Sequence, residues 1–148
     1  MDINRLKSDL EDDEGVVHEI YLDHRGLPTF GIGHLILKTD PEYGLPEGTA
    51  VSEERVLRVF LDDIDIVIDD CCKLYDDFYE LPEEVQLIIA NMMFNLGRPR
   101  LSLFRGMKAA VDARDWQKAA DEMVDSLWYD QVPNRAKRLV ARMRNVEE

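Results

Sequence analysis

The spacing of apolar positions changes period twice in the first third of the chain. Ile3, Leu6 and Leu10 recur at three- and four-residue intervals, which predicts a short amphipathic helix with Asp2 as N-cap and Gly15 just past its end. From Val16 to Leu22 the sequence turns β-branched and aromatic, the signature of a strand. Asp23-His24-Arg25-Gly26 is a turn cluster, and Leu27 to Ile32 resumes an extended pattern. Gly31 and Gly33 flank Ile32, marking a bulge, a bend or a close approach of backbone. A sheet of two or three strands is the most this stretch can form.

The helical period returns after residues 38–50, whose two prolines and two glycines read as a loop. Ser52 caps a helix with Glu53 and Glu54 in its first turn, where the helix dipole favours negative charge. Val56, Phe60, Ile64, Val67 and Cys71 draw one apolar stripe. This helix is expected to run from about 53 into the high seventies, long enough to bridge two lobes. Pro82 suits the first position of the next helix. Val85 through Leu96 is apolar almost all round, as in a buried central helix, and Gly97 ends it. Shorter helical patterns follow at about 102–113, about 115–127 opened by Asp115, and about 134–145 opened by Pro133. The predicted class is α+β within one domain. A hairpin lobe spans about 14–52, a connecting helix about 53–79, and an all-helical lobe joins 1–12 to about 80–148.

At 148 residues the chain can bury a core without metals or disulfides. No run approaches the ~20 apolar residues of a membrane helix, and the N-terminus opens no signal region, so a start in a cytosol is expected. Cys71 and Cys72 are adjacent, a poor geometry for a mutual bridge. One buried and one edge thiol in a reducing compartment are expected instead. The formal net charge is −13, unevenly placed: residues 1–97 hold 7 basic and 23 acidic side chains, residues 98–148 hold 11 and 8. Such a total repels nucleic acid and anionic lipid at long range and speaks against a general nucleic-acid role.

Candidate chemistry sits around the glycine-rich hairpin. Glu14 closes the first helical pattern, where packing against Tyr21 suits a general acid. Asp23 opens the turn, and Thr29 precedes Gly31 by two residues. Two carboxylates across a cleft are the minimal equipment for glycoside hydrolysis, and a hydroxyl beside them can orient water. By spacing alone the three read more readily as unconnected surface residues.

The residues themselves go further. DEG, then IYLD, then GLPTFGIGHL resembles the catalytic hairpin of the phage-type lysozymes, the endolysins of glycoside hydrolase family 24. Glu14, Asp23 and Thr29 match that pattern without gaps, and the likeness continues at NMMFNLG (91–97) and WYDQVPNRAKR (128–138). The resemblance implies a lysozyme-like fold and an enzyme that cuts the β-1,4 bond from N-acetylmuramic acid to N-acetylglucosamine in bacterial peptidoglycan. It implies Glu14 as acid, Asp23 and Thr29 as holders of water, and inversion at the anomeric carbon. It places Leu35, Phe94 and Asn95 toward substrate, although Leu35 and Phe94 read equally as lobe core. It pairs Arg135 with Glu14, and His34 with Asp63 as a structural link between hairpin and long helix. Trp128 and Tyr129 are expected in core and hinge packing. No metal or organic cofactor is implied.

Departures from the family pattern fall elsewhere. A family serine is Met107 here, a cleft asparagine is Glu122, and a charged pair closing the cleft becomes Arg25 and Leu127. A monomer is expected, held in the bacterial host cytoplasm until a separate membrane pore, a holin, opens the way to the wall. Three other readings stay open: a lytic transglycosylase, a non-catalytic module that binds glycan or protein, and a bacterial effector with the same chemistry.

Overall fold

The computed structural model describes residues 1–147. Among them the chain forms eight α-helices, a 3₁₀ turn and a three-stranded antiparallel sheet. This is the α+β class that the sequence predicts. The chain divides into two units, Lys7–Ile66 and a second made of Met1–Leu6 with the residues from Val67 onward.

Helix α1 (Ile3–Glu14) contributes residues to both units, and the Arg5 N–H donates to Asp2 Oδ1 at 3.1 Å as the cap requires. Leu6 and Leu10 of its apolar face are wholly buried. The Gly15 N–H closes the helix on Glu11 O at 2.9 Å, with φ +77°, a conformation open to glycine at little cost. The strands β1 (Val17–Leu22), β2 (Pro28–Gly31) and β3 (His34–Leu35) follow in spatial order β1-β2-β3. Their register sets Tyr21 opposite Thr29, Thr29 opposite Leu35, and Phe30 opposite His34. A Cβ on Gly31 would stand 3.2 Å from Val56 Cγ1, so that glycine marks a close approach. Residues 48–51 lie along the other edge of β1: Gly48 N–H donates to Ile20 O, Ile20 N–H to Thr49 O, and Val51 N–H to His18 O, at 2.8–2.9 Å. The 38–50 loop is therefore bonded to the sheet at its far end.

Helix α2 (Glu53–Leu74) contributes residues to both units. It stops at Leu74 rather than in the high seventies. Tyr75 and Phe78 continue the apolar spacing and are buried, but they belong to a turn and to the 3₁₀ segment Phe78–Glu80. A period of three residues and one of 3.6 cannot be separated over so short a stretch.

In the second unit, α3 (Glu83–Leu96) is buried along almost its whole length, and Pro82 stands one residue earlier than expected, as its N-cap. Gln86 Nε2 donates to Leu81 O at 2.8 Å, tying α3 to the turn before it. The pattern at 102–113 corresponds to α5 (Arg105–Asp112), and a short helix that the pattern did not predict, α4 (Arg98–Leu101), precedes it. Helix α6 (Trp116–Val124) opens at Asp115, whose carboxylate accepts the Lys118 N–H at 3.0 Å. It ends three residues short of expectation because Ser126 caps a separate helix, α7 (Leu127–Gln131), too brief to leave a period. Helix α8 (Pro133–Arg144) starts on its proline. Cys71 is buried and Cys72 half-buried, neither in a disulfide. Among the described residues no helix is long and apolar enough to cross a membrane.

Candidate active site

Asp23, Thr29 and Glu14 all lie in the Lys7–Ile66 unit. The turn after β1 is built by Asp23 itself. Its N–H donates to Leu27 O at 2.9 Å, and the Gly26 N–H returns to Asp23 O at 2.8 Å. Its side-chain Oδ1 accepts the N–H groups of Arg25 at 2.8 Å and Leu27 at 2.9 Å. The Leu27 N–H is the largest influence on the Asp23 carboxyl; with the Arg25 N–H and the charges of Arg25 and His24 it outweighs burial and holds the group below the usual carboxylate range. Asp23 is thus an ionised group at neutral pH. Arg25 Nη2 stands 3.5 Å from the second oxygen, Asp23 Oδ2.

Thr29 is 3% exposed. Its hydroxyl donates to Leu27 O at 2.9 Å, which commits the hydrogen and leaves the Oγ1 lone pairs to accept. One residue, Leu27, therefore positions both groups through its main chain: its N–H holds the carboxylate and its C=O, in the next peptide, holds the hydroxyl. An ionised carboxylate and an oriented acceptor oxygen are what a bound water needs.

Glu14 ends α1 half-buried, against the β2–β3 corner. A Cβ on Gly33 would meet Cβ, Cδ and Oε1 of Glu14 at 3.4 Å each, and Gly33 has φ +61°. The side chain of Glu14 thus rests on bare backbone at that corner. Tyr21, half-buried on β1, senses both acids. Burial raises the pKa of its phenol first, and the charges of Glu14 and Asp23 raise it further.

His34 is 6% exposed, with Nδ1 2.7 Å from Asp63 Oδ2 and Nε2 2.8 Å from Asp40 Oδ2. Burial pulls its pKa down, but the two hydrogen-bonded carboxylates, Asp63 and then Asp40, outweigh it and the net direction is up. Leu35, its neighbour on β3, is exposed.

In the second unit Arg135 is buried, its Nε donating to Asn91 Oδ1 at 2.8 Å and its Nη2 to Asn91 O at 3.3 Å. Asn91 is likewise buried, whereas Phe94 and Asn95 are half-exposed. The amide oxygen of Asn95 accepts the indole N–H of Trp128 at 2.8 Å, and the Trp128 ring meets Phe104 edge-on. Trp128 is in the core, as expected. Met107 is buried and Glu122 half-buried. Leu127 is 70% exposed. Among the described residues no group of three or more His, Cys, Asp or Glu is placed to hold a metal ion.

A family model described as phage lysozyme matches residues 11–147. The chain belongs to the phage lysozyme family. It is similar to the pre-baseplate central spike protein Gp5 of Enterobacteria phage T4, 30% identical over 149 residues that cover 88% of this chain and 26% of the spike protein. It is 27% identical to the probable T4-type lysozyme 2 of Dictyostelium discoideum, covering 94% of this chain and 93% of that protein. It is 28% identical to the peptidoglycan hydrolase gp36 of Pseudomonas phage phiKMV, covering 96% of this chain and 15% of that protein. The chain thus spans about a quarter of the spike protein and nearly all of the Dictyostelium lysozyme. Its lysozyme-like α+β elements agree with the family.

Two sets of contacts around these residues left no mark in the sequence pattern. Leu27 bonds Asp23 and Thr29 through main-chain atoms, which carry no residue signal. Asp40 lay in the loop, and nothing in its spacing pointed to His34. The packing of Gly33 on Glu14 was foreshadowed, since paired glycines mark close backbone approach.

Proposed function

We propose that this protein is an inverting glycoside hydrolase that cuts the β-1,4 bond from N-acetylmuramic acid to N-acetylglucosamine in bacterial peptidoglycan. Membership of the phage lysozyme family, and relatives named as a lysozyme and a peptidoglycan hydrolase, support the wall-degrading role. The observation that carries the mechanism is the main chain of Leu27, whose N–H bonds Asp23 and whose C=O bonds Thr29. Glu14 gives its proton to the leaving glycosidic oxygen. Asp23 takes a proton from a water that also donates to Thr29 Oγ1, and that water attacks the anomeric carbon from the opposite face. Inversion calls for acid and base about 6.5–9.5 Å apart, leaving room for the water. On this reading Leu35, Phe94 and Asn95 meet the sugars, Arg135 supports Glu14, and a holin gives a monomeric enzyme access to the host wall.

Glu14→Gln should slow the clearing of outer-membrane-permeabilised cells by about 10²–10⁴-fold while leaving the circular dichroism spectrum unchanged. Lysis by that variant at near wild-type rate would overturn the mechanism. Mass spectrometry of the digest separates the remaining chemistry. Reducing ends are expected, whereas anhydro ends would make the enzyme a lytic transglycosylase.

A further inference from the structure

We propose that Asp40 is a positioning residue of the hairpin: acting through His34, it holds β3 and the 38–50 loop in the arrangement that Thr29 and Asp23 need. The proposal rests on the reading of those two residues as holders of water. His34 lies on the strand that pairs with β2 at Thr29↔Leu35 and Phe30↔His34, so any shift of β3 is felt at Thr29. Asp63 of α2 takes only one ring nitrogen, Nδ1, at 2.7 Å. Asp40 takes the other, Nε2, at 2.8 Å. Ionised carboxylates only accept hydrogen bonds, so the ring that satisfies both partners is the imidazolium.

Asp40 is itself held in place. The Leu37 N–H donates to its Oδ2 at 2.8 Å. Its other oxygen stands 3.5 Å from Arg55 Nη2, and Arg55 forks onto Glu42 at 2.9 and 3.0 Å. The charges around His34 are therefore Asp63 and Arg55 from α2 and Asp40 and Glu42 from the loop, while β2 offers the Phe30 ring at 5.1 Å between centroids. Beyond Glu42 the same loop runs along β1 at residues 48–51, and β1 leads directly into Asp23. The loop thus spans the sheet from one edge to the other, and Asp40 is its anchor at the β3 end.

The sign of the pH dependence follows. His34 has its pKa raised on folding, so its contribution is complete below the ordinary imidazole value of about 6.5 and is lost as pH rises through the raised value. Asp40 moves the other way. Burial opposes the shift, but Leu37 N–H, His34 and Arg55 bring it down, so its contribution is lost only as pH falls through that lowered value. The clamp is whole between these limits, and on the alkaline side it opens as His34 loses its proton.

The test is an NMR titration of the His34 ring in wild type, Asp40→Ala and Asp40→Asn, alongside wall-clearing rates from pH 5 to 10. Removing the carboxylate should lower the His34 midpoint by about one pH unit in both variants. The alkaline limb of activity should move down with it. Asp40→Ala should also lose about three- to tenfold in rate at pH 6, whereas Asp40→Asn keeps an amide oxygen to accept from Nε2 and should retain most of the rate. An unmoved His34 midpoint, or a loss that is equal at every pH and equal in both variants, would overturn the proposal. If Asp40→Ala fails to fold, the Asp40→Asn variant alone reads both the midpoint and the limb. The titration does not depend on turnover. Should Glu14→Gln prove active, the functional reading falls while the His34 midpoint still decides the clamp.

Discussion

At the scale of the residue, Glu14 depends on what its neighbour lacks. Gly33→Ala would add a methyl group 3.4 Å from three atoms of the Glu14 side chain, at a φ of +61°. The left-handed backbone should cost about 1–2 kcal/mol of stability in thermal denaturation. The displaced acid should cost more, about tenfold or greater in wall-clearing rate. A variant as unstable as expected but fully active would show that the contact with Gly33 does not position Glu14. Spacing marked only the elements that carry Glu14, Asp23 and Thr29, whose periods and turn residues are plain; their proposed roles come from the resemblance to the family's hairpin. Asp40 was not legible, because its partner His34 is chosen by how a loop of prolines and glycines folds, and no local period encodes that path.

At the scale of the element, helices were legible where burial was one-sided or complete and obscure where they were short. Val85, Leu87, Ile88, Ile89 and Met92 of α3 have essentially no exposure, so Leu87→Ala should lower stability by about 2–5 kcal/mol in chemical denaturation. A loss under about 1 kcal/mol would mean that the surroundings collapse to fill the cavity. The end of α2 shows the opposite case. Cys71, Tyr75 and Phe78 keep intervals of three and four residues and are all buried, so the stripe runs through the helix end unbroken. At the break the Phe78 N–H turns to Tyr75 O at 3.0 Å, three residues back, and the chain passes into the 3₁₀ segment while the stripe continues. Helix α7 has only five residues, little more than one turn, and a single turn has no period to detect.

At the scale of the whole molecule, charge is the unusual property. The Lys7–Ile66 unit holds 5 basic and 15 acidic side chains within a net charge of −13. Peptidoglycan is itself anionic, so repulsion should slow encounter at low ionic strength and fade once the screening length falls to about 10 Å near 0.1 M salt. Initial rates on purified walls should therefore rise between low and moderate salt. A monotonic fall over that range would mean that local basic groups, not the total, govern approach.

The main chain of Leu27 gives the hairpin a kind of inheritance that residue-by-residue comparison does not see. Position 27 contributes an N–H and a C=O, which every amino acid but proline supplies, while its side chain is 38% exposed. Related chains are therefore free to differ there and keep the chemistry. A chain with proline at that position, or with a turn one residue longer, would retain all three side chains and lose the arrangement that makes them useful.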